Sequence, residues 1–118
     1  MPVLSKIPLS GSTNGRAVQV SATGSPGTTI HTGSTTTTTI DEVWLYAVNS
    51  GTADVKLTVE YGGTGVGDTI EVTIPAESGL VPIVPGLIIV GAATALVVRA
   101  FAGTASVINL FGYVNRST

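Results

Sequence analysis

The chain has few side chains that could carry out chemistry, and its single histidine, His31, is the first to consider. A catalytic or metal-binding imidazole needs partners, such as a second imidazole or nearby carboxylates. The sequence neighbours of His31 are Thr, Ile and Gly, so any partner must come from another part of the fold. We therefore expect His31 to be a surface histidine or one whose hydrogen bonds are satisfied within a strand.

The adjacent carboxylates Asp41 and Glu42 are a second candidate for acid–base chemistry. Adjacent side chains on a strand point to opposite faces, so on a strand the two carboxylates cannot act together. We expect them to solvate the strand or to discourage aggregation at a sheet edge.

The glycine-rich segment 62–68 (GGTGVGD) resembles two ligand-binding motifs and matches neither. A phosphate-binding loop needs a helix after its glycines, whereas strand-like sequence follows here. A calcium-binding repeat would place the aspartate one position earlier and would recur along the chain. The segment therefore predicts a hairpin loop. The chain also has no cysteine and no G-x-S-x-G motif, so we expect no enzyme activity, no cofactor and no metal site.

The composition predicts an all-β domain. Only 10% of the 118 residues are charged, against about 25% in typical soluble domains. Val, Ile and Thr make up 43 of the 118 residues, and β-branched side chains favour strands. Fifteen Gly and six Pro supply turns between the strands. The net charge is −2, so we expect no basic surface that could neutralise phosphates. We therefore expect no nucleic-acid partner.

The strand pattern predicts an antiparallel β-sandwich, jelly-roll-like, with about eight short strands. Residues 54–61 and 69–74 alternate apolar and polar side chains, which predicts a hairpin with one solvent-facing side. On that side Lys56 and Glu60 would face Glu71. A last hairpin is predicted around Gly103. It would join two apolar runs, residues 94–102 and 106–114.

Residues 40–48 (IDEVWLYAV) fit two structures. Thr39 and Glu42 match a helix capping box before an apolar run. The run is only about two turns long, and its Val, Trp and Tyr residues prefer strands, so we expect a strand. Because it is apolar on both faces, this strand should lie centrally in a sheet or at a subunit interface.

The uncharged run 78–98 is long enough to span a bilayer. Pro82 and Pro85 would break the helix that a single membrane span requires. We therefore expect no membrane partner, and instead two buried strands joined by a turn at Pro85-Gly86. The first fifteen residues lack a basic region followed by an unbroken apolar one, which predicts no signal peptide.

The chain divides into an extended N-terminal arm, residues 1–15, and a single β-sandwich domain, residues 16–118. The arm is apolar, so it needs a surface to lie on, either its own sandwich or a neighbouring subunit. We predict interface residues in the arm and on the 40–48 strand: Val3, Leu4, Ile7, Leu9, Trp44 and Tyr46.

Three segments resemble small virion proteins of tailed bacteriophages, above all head decoration, or cement, proteins. They are the opening IPLSGSTNGRAVQVSATGSPGTTIHT, the centre IDEVWLYAVNSGTADVKLTVEYGG and the ending TIPAESGLVPIVPGLIIV with LVVRAFAGTASVINLFGYVNR. The resemblance implies a β-sandwich or jelly-roll subunit, often a trimer, which is made in the host cytoplasm. It also implies binding to the major capsid protein on the outside of the virion, which stabilises the head.

An alternative function is a carbohydrate-binding or host-attachment module of a virion. Trp44, Tyr46, Tyr61 and Tyr113 could form a platform on which sugar rings stack. Aromatic residues scattered over alternating strands are more often part of a core or an interface.

Overall fold

Two antiparallel sheets form the fold in the computed structural model, which describes residues 3–118. The first sheet has the order β1-β9-β4-β7, with β2 also paired to β9. Its strands are β1 (Leu4–Pro8), β2 (Val18–Gln19), β4 (Ile40–Asn49), β7 (Val81–Val90) and β9 (Ile108–Ser117). The second sheet has the order β3-β8-β5-β6. Its strands are β3 (Thr28–Thr32), β5 (Val55–Tyr61), β6 (Thr69–Ile74) and β8 (Val97–Ala102). The predicted antiparallel β-sandwich is confirmed.

The core lies between the two sheets and is built from the inward side of each strand. Along β4, buried residues alternate with partly exposed ones, which is the pattern of a strand with one face on a core. Residues 40–48 are thus a strand, as predicted, and this strand is central because it lies between β9 and β7. The largest fully buried apolar side chains are Leu9, Ile30, Leu45, Leu57, Ile74, Ile108 and Leu110.

The hairpin predicted for residues 54–61 and 69–74 is confirmed, because β5 pairs directly with β6. Its glycine-rich loop contains a short 3₁₀ turn, Val66–Asp68. Lys56 forms an ion pair with Glu71, as predicted. The expectation of a fully solvent-facing side is wrong, because Thr58 and Glu60 on that side are buried.

The last predicted hairpin is wrong. Residues 97–102 form β8 in the second sheet, while residues 108–117 form β9 in the first. The chain therefore crosses between sheets at Gly103 and does not fold back within one sheet. Both runs are apolar enough to be strands, but strand character does not determine which strands pair.

The turn predicted at Pro85-Gly86 is also wrong. Residues 81–90 form one continuous strand, β7, along the edge of the first sheet. Its register on β4 shifts at this point, since Val43 pairs with Leu87 and Trp44 with Pro85. Gly86 is the extra residue of this bulge and has a positive φ of 84°, a conformation that glycine adopts without strain.

The segment predicted as an arm lies on the chain's own sandwich. Residues 4–8 form β1, which pairs with β9 from Leu4 opposite Ser117 to Pro8 opposite Tyr113. Leu9 is then buried in the core. Met1 and Pro2, which also belong to the predicted arm, lie outside the described residues.

A close contact between β4 and β9 predicts a strong effect of a single methyl group at Gly112. A Cβ there would lie 2.0 Å from the Trp44 carbonyl oxygen, which is backbone and cannot move aside freely. We expect Gly112→Ala to lower the free energy of unfolding by about 3 kcal/mol, measured by urea denaturation. Gly67→Ala is the matched control, because a Cβ at Gly67 meets nothing within 4 Å. Equal stability of the two variants would contradict this account of the β4–β9 contact.

Candidate functional site

A buried polar cluster connects four parts of the chain around Asp41. Its side chain is 1% exposed and lies opposite Arg116 on the neighbouring strand. The Arg116 guanidinium donates two hydrogen bonds to the carboxylate, from Nε to Oδ1 at 2.7 Å and from Nη2 to Oδ2 at 2.8 Å. This pairing is bidentate, which is the stronger geometry for an arginine–carboxylate contact.

His31 completes the cluster, and both of its ring nitrogens are occupied. The Ser10 backbone N–H donates to Nδ1 at 3.1 Å, and Nε2 lies 2.8 Å from Asp41 Oδ2. Because a backbone N–H can only donate, Nδ1 is the acceptor. The ring proton is therefore on Nε2, which donates a hydrogen bond to Asp41. While these bonds hold, neither nitrogen is free to take a proton from a substrate. His31 is therefore a satisfied strand histidine, as the sequence analysis expected.

The cluster shifts the pKa values of its own carboxylate and of a neighbouring tyrosine. Burial opposes ionisation of Asp41, but the hydrogen bonds from Arg116 and His31 outweigh it and hold the pKa of Asp41 below its ordinary value. Burial, together with the charge of Asp41, raises the pKa of Tyr61 above its ordinary value. The Tyr61 hydroxyl stays protonated and donates to the Leu87 carbonyl at 2.7 Å. The Asp41 carboxylate thus contributes stability as an anion.

Glu60 is a second buried carboxylate, and it holds the loop that precedes β3. Its side chain is 1% exposed and accepts hydrogen bonds from the Ser25 hydroxyl at 2.6 Å and the Gly27 N–H at 2.7 Å. The strand pattern placed Glu60 on a solvent-facing side, and no sequence signal indicated that residues 25–27 would fold over it. The role of Glu60 is structural, because both of its oxygens serve the fold.

The solvent side of the first sheet differs from the buried clusters, because it exposes apolar and aromatic side chains. We call it the outer face. Paired residues in an antiparallel sheet share a face, so the registers of β1, β9, β4 and β7 define its members. They include Leu4, Lys6, Ile40, Glu42, Trp44, Tyr46, Ile88, Val90, Phe111, Tyr113 and Asn115. Leu4, Ile40, Ile88, Val90 and Phe111 are among the exposed large apolar residues of the chain.

Four residues from neighbouring strands form a row across the middle of the outer face, which we call the stacked row: Lys6, Tyr113, Trp44 and Gly86. Trp44 on β4 stacks on Tyr113 on β9, with ring centroids 6.1 Å apart and planes 10° from parallel. Lys6 on β1 places its Nζ 4.9 Å from the Tyr113 centroid, within the range of a cation–π contact. On the other flank a Cβ at Gly86 would lie 2.9 Å from the Trp44 ring, so the indole packs on bare backbone. The rings are therefore held on both sides.

Glu42, two residues before Trp44 on β4, fixes the position of the Trp44 ring through a hydrogen bond. Its Oε1 accepts hydrogen bonds from Trp44 Nε1 at 2.7 Å and from Asn115 Nδ2 at 3.0 Å. These bonds lower the pKa of Glu42. Glu42, Asn115, Lys6, Leu4 and Ser5 line a shallow depression beside the stacked row. On the outer face, Glu42, Asn115 and Lys6 thus already have partners within the sheet.

The six predicted interface residues separate into three sets in the structure. Leu4, Trp44 and Tyr46 lie together on the outer face, although they are far apart in sequence. Ile7 packs against the core and Leu9 is buried within it, so both serve the chain's own fold. Val3 is 59% exposed, and its backbone pairs with Thr118. Sequence reasoning grouped Trp44 with Tyr113 in the sugar-stacking alternative. It did not place Lys6 and Gly86 beside them, because the members of this row are adjacent only through strand pairing.

Residues 3–118 contain no group of three or more His, Cys, Asp or Glu side chains placed to hold a metal ion. In the same residues, no helix has the length and apolar character needed to cross a bilayer. Comparisons with protein-family models, with curated proteins and with solved structures gave no match to this chain.

The Asp41 cluster predicts a specific loss of stability in acid. Since the pKa of Asp41 is lowered in the folded state, its contribution is present above the ordinary value of 3.8 and is lost as the pH falls below it. We expect Asp41→Asn to lower the free energy of unfolding at pH 7 by about 3 kcal/mol, because Arg116 loses its partner. The difference from the wild type should shrink as the pH falls below 3.8.

Urea denaturation between pH 2 and pH 7 measures this dependence. Asp54→Asn is the control, because Asp54 is exposed, and its effect should stay within about 0.5 kcal/mol. A constant difference between wild type and Asp41→Asn over the whole pH range would contradict the assigned role of the carboxylate.

Proposed function

We propose that this chain is a non-enzymatic structural protein of a bacteriophage virion, a decoration protein that binds the outer surface of the capsid and stabilises the head. The outer face of the first sheet is the observation that carries this proposal. It joins apolar residues at one end, such as Ile40 and Leu4, to aromatic residues such as Trp44 and Tyr46. Contiguous exposed apolar surface of this kind marks a protein–protein interface.

Adhesion is the function that suits such a surface. Burying apolar area stabilises a complex by about 25 cal/mol per Å² before the costs of association are subtracted. Those costs are lower when side chains are already ordered. Trp44 and Tyr113 are held by each other, by Lys6 and by Glu42, so docking would immobilise them little further. The low charge of the chain also reduces the number of charged groups that a partner must desolvate.

The strand topology supports a jelly roll, the sandwich type that the sequence resemblance implies. The sheets β1-β9-β4-β7 and β3-β8-β5-β6 are each four strands wide, and β5 to β6 is a connection within one sheet. From β6 to β9 every connection crosses to the other sheet. Two such Greek-key sheets make a jelly roll, a fold found in viral capsid proteins and in lectins. Fold alone does not decide between these functions.

The geometry of the stacked row favours adhesion over sugar binding. A sugar ring stacks on an open aromatic face. In this chain Tyr113 lies between Trp44 and Lys6, and the other flank of the Trp44 ring packs on Gly86. The flat faces of both rings are therefore used within the sheet. The remaining contact surface, the ring edges and the neighbouring aliphatic side chains, suits a protein partner.

The partner in this proposal is the major capsid protein, and the location is the capsid exterior. The chain would bind as a homo-oligomer, so that several outer faces engage one capsid region together. Linked sites of this kind bind more tightly than a single site because the second contact forms at high effective concentration.

Two added charges on the outer face test the proposal. We expect the double variant Tyr46→Lys, Phe111→Lys to reduce binding to undecorated phage heads by at least tenfold, because each lysine must be desolvated in the interface (~1.4 kcal/mol per factor of ten). Pelleting of heads with increasing protein concentration measures bound copies. Thr73→Lys is the matched control, because Thr73 is exposed on the second sheet. Absence of wild-type binding to heads, or equal binding by the double variant, would refute the proposal.

A sugar titration tests the alternative independently. Trp44 is the only tryptophan of the chain, so its fluorescence reports directly on the stacked row. We expect no change in emission with mono- and oligosaccharides. Saturable quenching by one glycan, abolished in Tyr113→Leu, would instead support the carbohydrate-binding alternative.

A further inference from the structure

We propose that the free edge of β7 pairs with β7 of a second copy of this chain, antiparallel about a two-fold axis. The inference goes beyond the proposed function, because it concerns a strand edge rather than the outer face and requires no capsid. The pairing would join two first sheets into one continuous sheet of the order β1-β9-β4-β7-β7-β4-β9-β1.

The backbone of β7 leaves hydrogen-bonding groups unused at its edge. The Gly91 N–H donates to the Thr39 carbonyl at 2.8 Å, and Ile40 pairs with Val90 in the same register. Successive strand residues direct their N–H and C=O groups to alternate sides. Ile88 and Val90 therefore direct theirs away from β4, and β7 is the last strand of its sheet.

The side chains at this edge are apolar and exposed. Ile88 is 57% exposed, Val90 44% and Leu87 42%. The whole run from residue 78 to residue 98 carries no charge. An exposed edge strand of this composition readily pairs with another strand, and proteins usually protect such edges with charges, prolines or a cover.

The other sheet edges of the described chain have this protection. β1 is short and carries Lys6 and Pro8, and β6 carries Glu71. The edge of β3 is covered, since the Gly11 N–H donates to the Ile30 carbonyl. On β7 the prolines lie in the first half, at 82 and 85, and just beyond the strand the Ala92 N–H donates to the Ser34 carbonyl. The unprotected part of the edge is therefore residues 86–90 (GLIIV).

A second copy is the partner that this edge fits. An antiparallel pair related by a two-fold axis places the same segment opposite itself, and an uncharged segment meets itself without like-charge repulsion. The backbone N–H and C=O groups of Ile88 in one copy then face those of Val90 in the other, and those of Val90 face those of Ile88. The pairing also closes the edge in both copies, so that the assembly stops at a dimer.

A proline at the edge tests the pairing without touching the β4–β7 contacts. Ile88→Pro removes an N–H that points to the free edge and blocks close approach of another strand, as Pro82 and Pro85 already do further along β7. We expect the wild type to show a monomer–dimer equilibrium by sedimentation equilibrium. Ile88→Pro should raise its dissociation constant at least tenfold, a change of about 1.4 kcal/mol, with unchanged far-ultraviolet circular dichroism.

Leu4→Lys is the matched control, because Leu4 is an exposed apolar residue on the same face at the opposite edge. Its dissociation constant should stay within about twofold of the wild type. Cysteine cross-linking gives a second readout that does not depend on proline, since the chain has no cysteine of its own. An equimolar mixture of Ile88→Cys and Val90→Cys should form a disulfide-linked dimer on oxidation, because residue 88 of one copy faces residue 90 of the other, and Leu4→Cys should not.

Three results would overturn the pairing. They are a monomeric wild type at about 100 μM, equal dissociation of the Ile88→Pro and Leu4→Lys variants, or an oligomer that Ile88→Pro leaves intact. A trimer of the last kind would leave capsid decoration standing while removing the β7 dimer. A monomeric wild type that binds heads would likewise leave capsid decoration standing while removing the β7 dimer.

Discussion

The Asp41 carboxylate is the group on which the arrangement of the first sheet most depends. Its two oxygens bind Arg116 on β9 and His31 on β3, and His31 in turn accepts the N–H of Ser10 next to the buried Leu9. One side chain thus connects both sheets and the N-terminal segment. A buried carboxylate is costly without partners, so any packing that separates these strands leaves a charge unpaired. The cluster therefore favours one registration of β1, β4 and β9, which is the registration that assembles the outer face.

Scarcity of charge leaves the outer face and the β7 edge apolar, while the buried charges are paired within the fold. The buried carboxylates Asp41 and Glu60 are each paired inside the fold, and Lys56 pairs with Glu71 on the second sheet. Few charges remain for the outer face, where Lys6 lies on Tyr113 and Glu42 is bonded to Trp44 and Asn115. The polar groups there are used to hold the aromatic rings. Apolar contact is then what this side of the sandwich offers to a partner.

The sequence predicted strands more accurately than it predicted their partners. Alternation identified the β5–β6 hairpin, and β-branched and aromatic residues identified β4, because both signals are local. The assignment of β8 and β9 to one hairpin failed because pairing between distant strands depends on tertiary contacts that periodicity does not encode. Glu60 illustrates the same limit, since its polar type suggested solvent until residues 25–27 folded over it. Of the candidate interface residues, Leu4, Trp44 and Tyr46 were recognisable by type, but their assembly on one face follows only from the register of three strands.

The two proposed contacts use β7 in different ways, and this separates their consequences. Its outward side chains extend the outer face, while its backbone edge is directed within the plane of the sheet. A partner on the face contacts side chains from all four strands, so its affinity should depend on the stacked row that Gly86 supports. A partner at the edge contacts mainly the backbone of Ile88 and Val90, and is insensitive to the rings. Because the bulge at Gly86 seats the Trp44 ring and also ends the proline-protected half of β7, one local irregularity defines the boundary between the two surfaces. Both contacts can therefore form at once, with copies joined in the plane of the sheet and docked through its face.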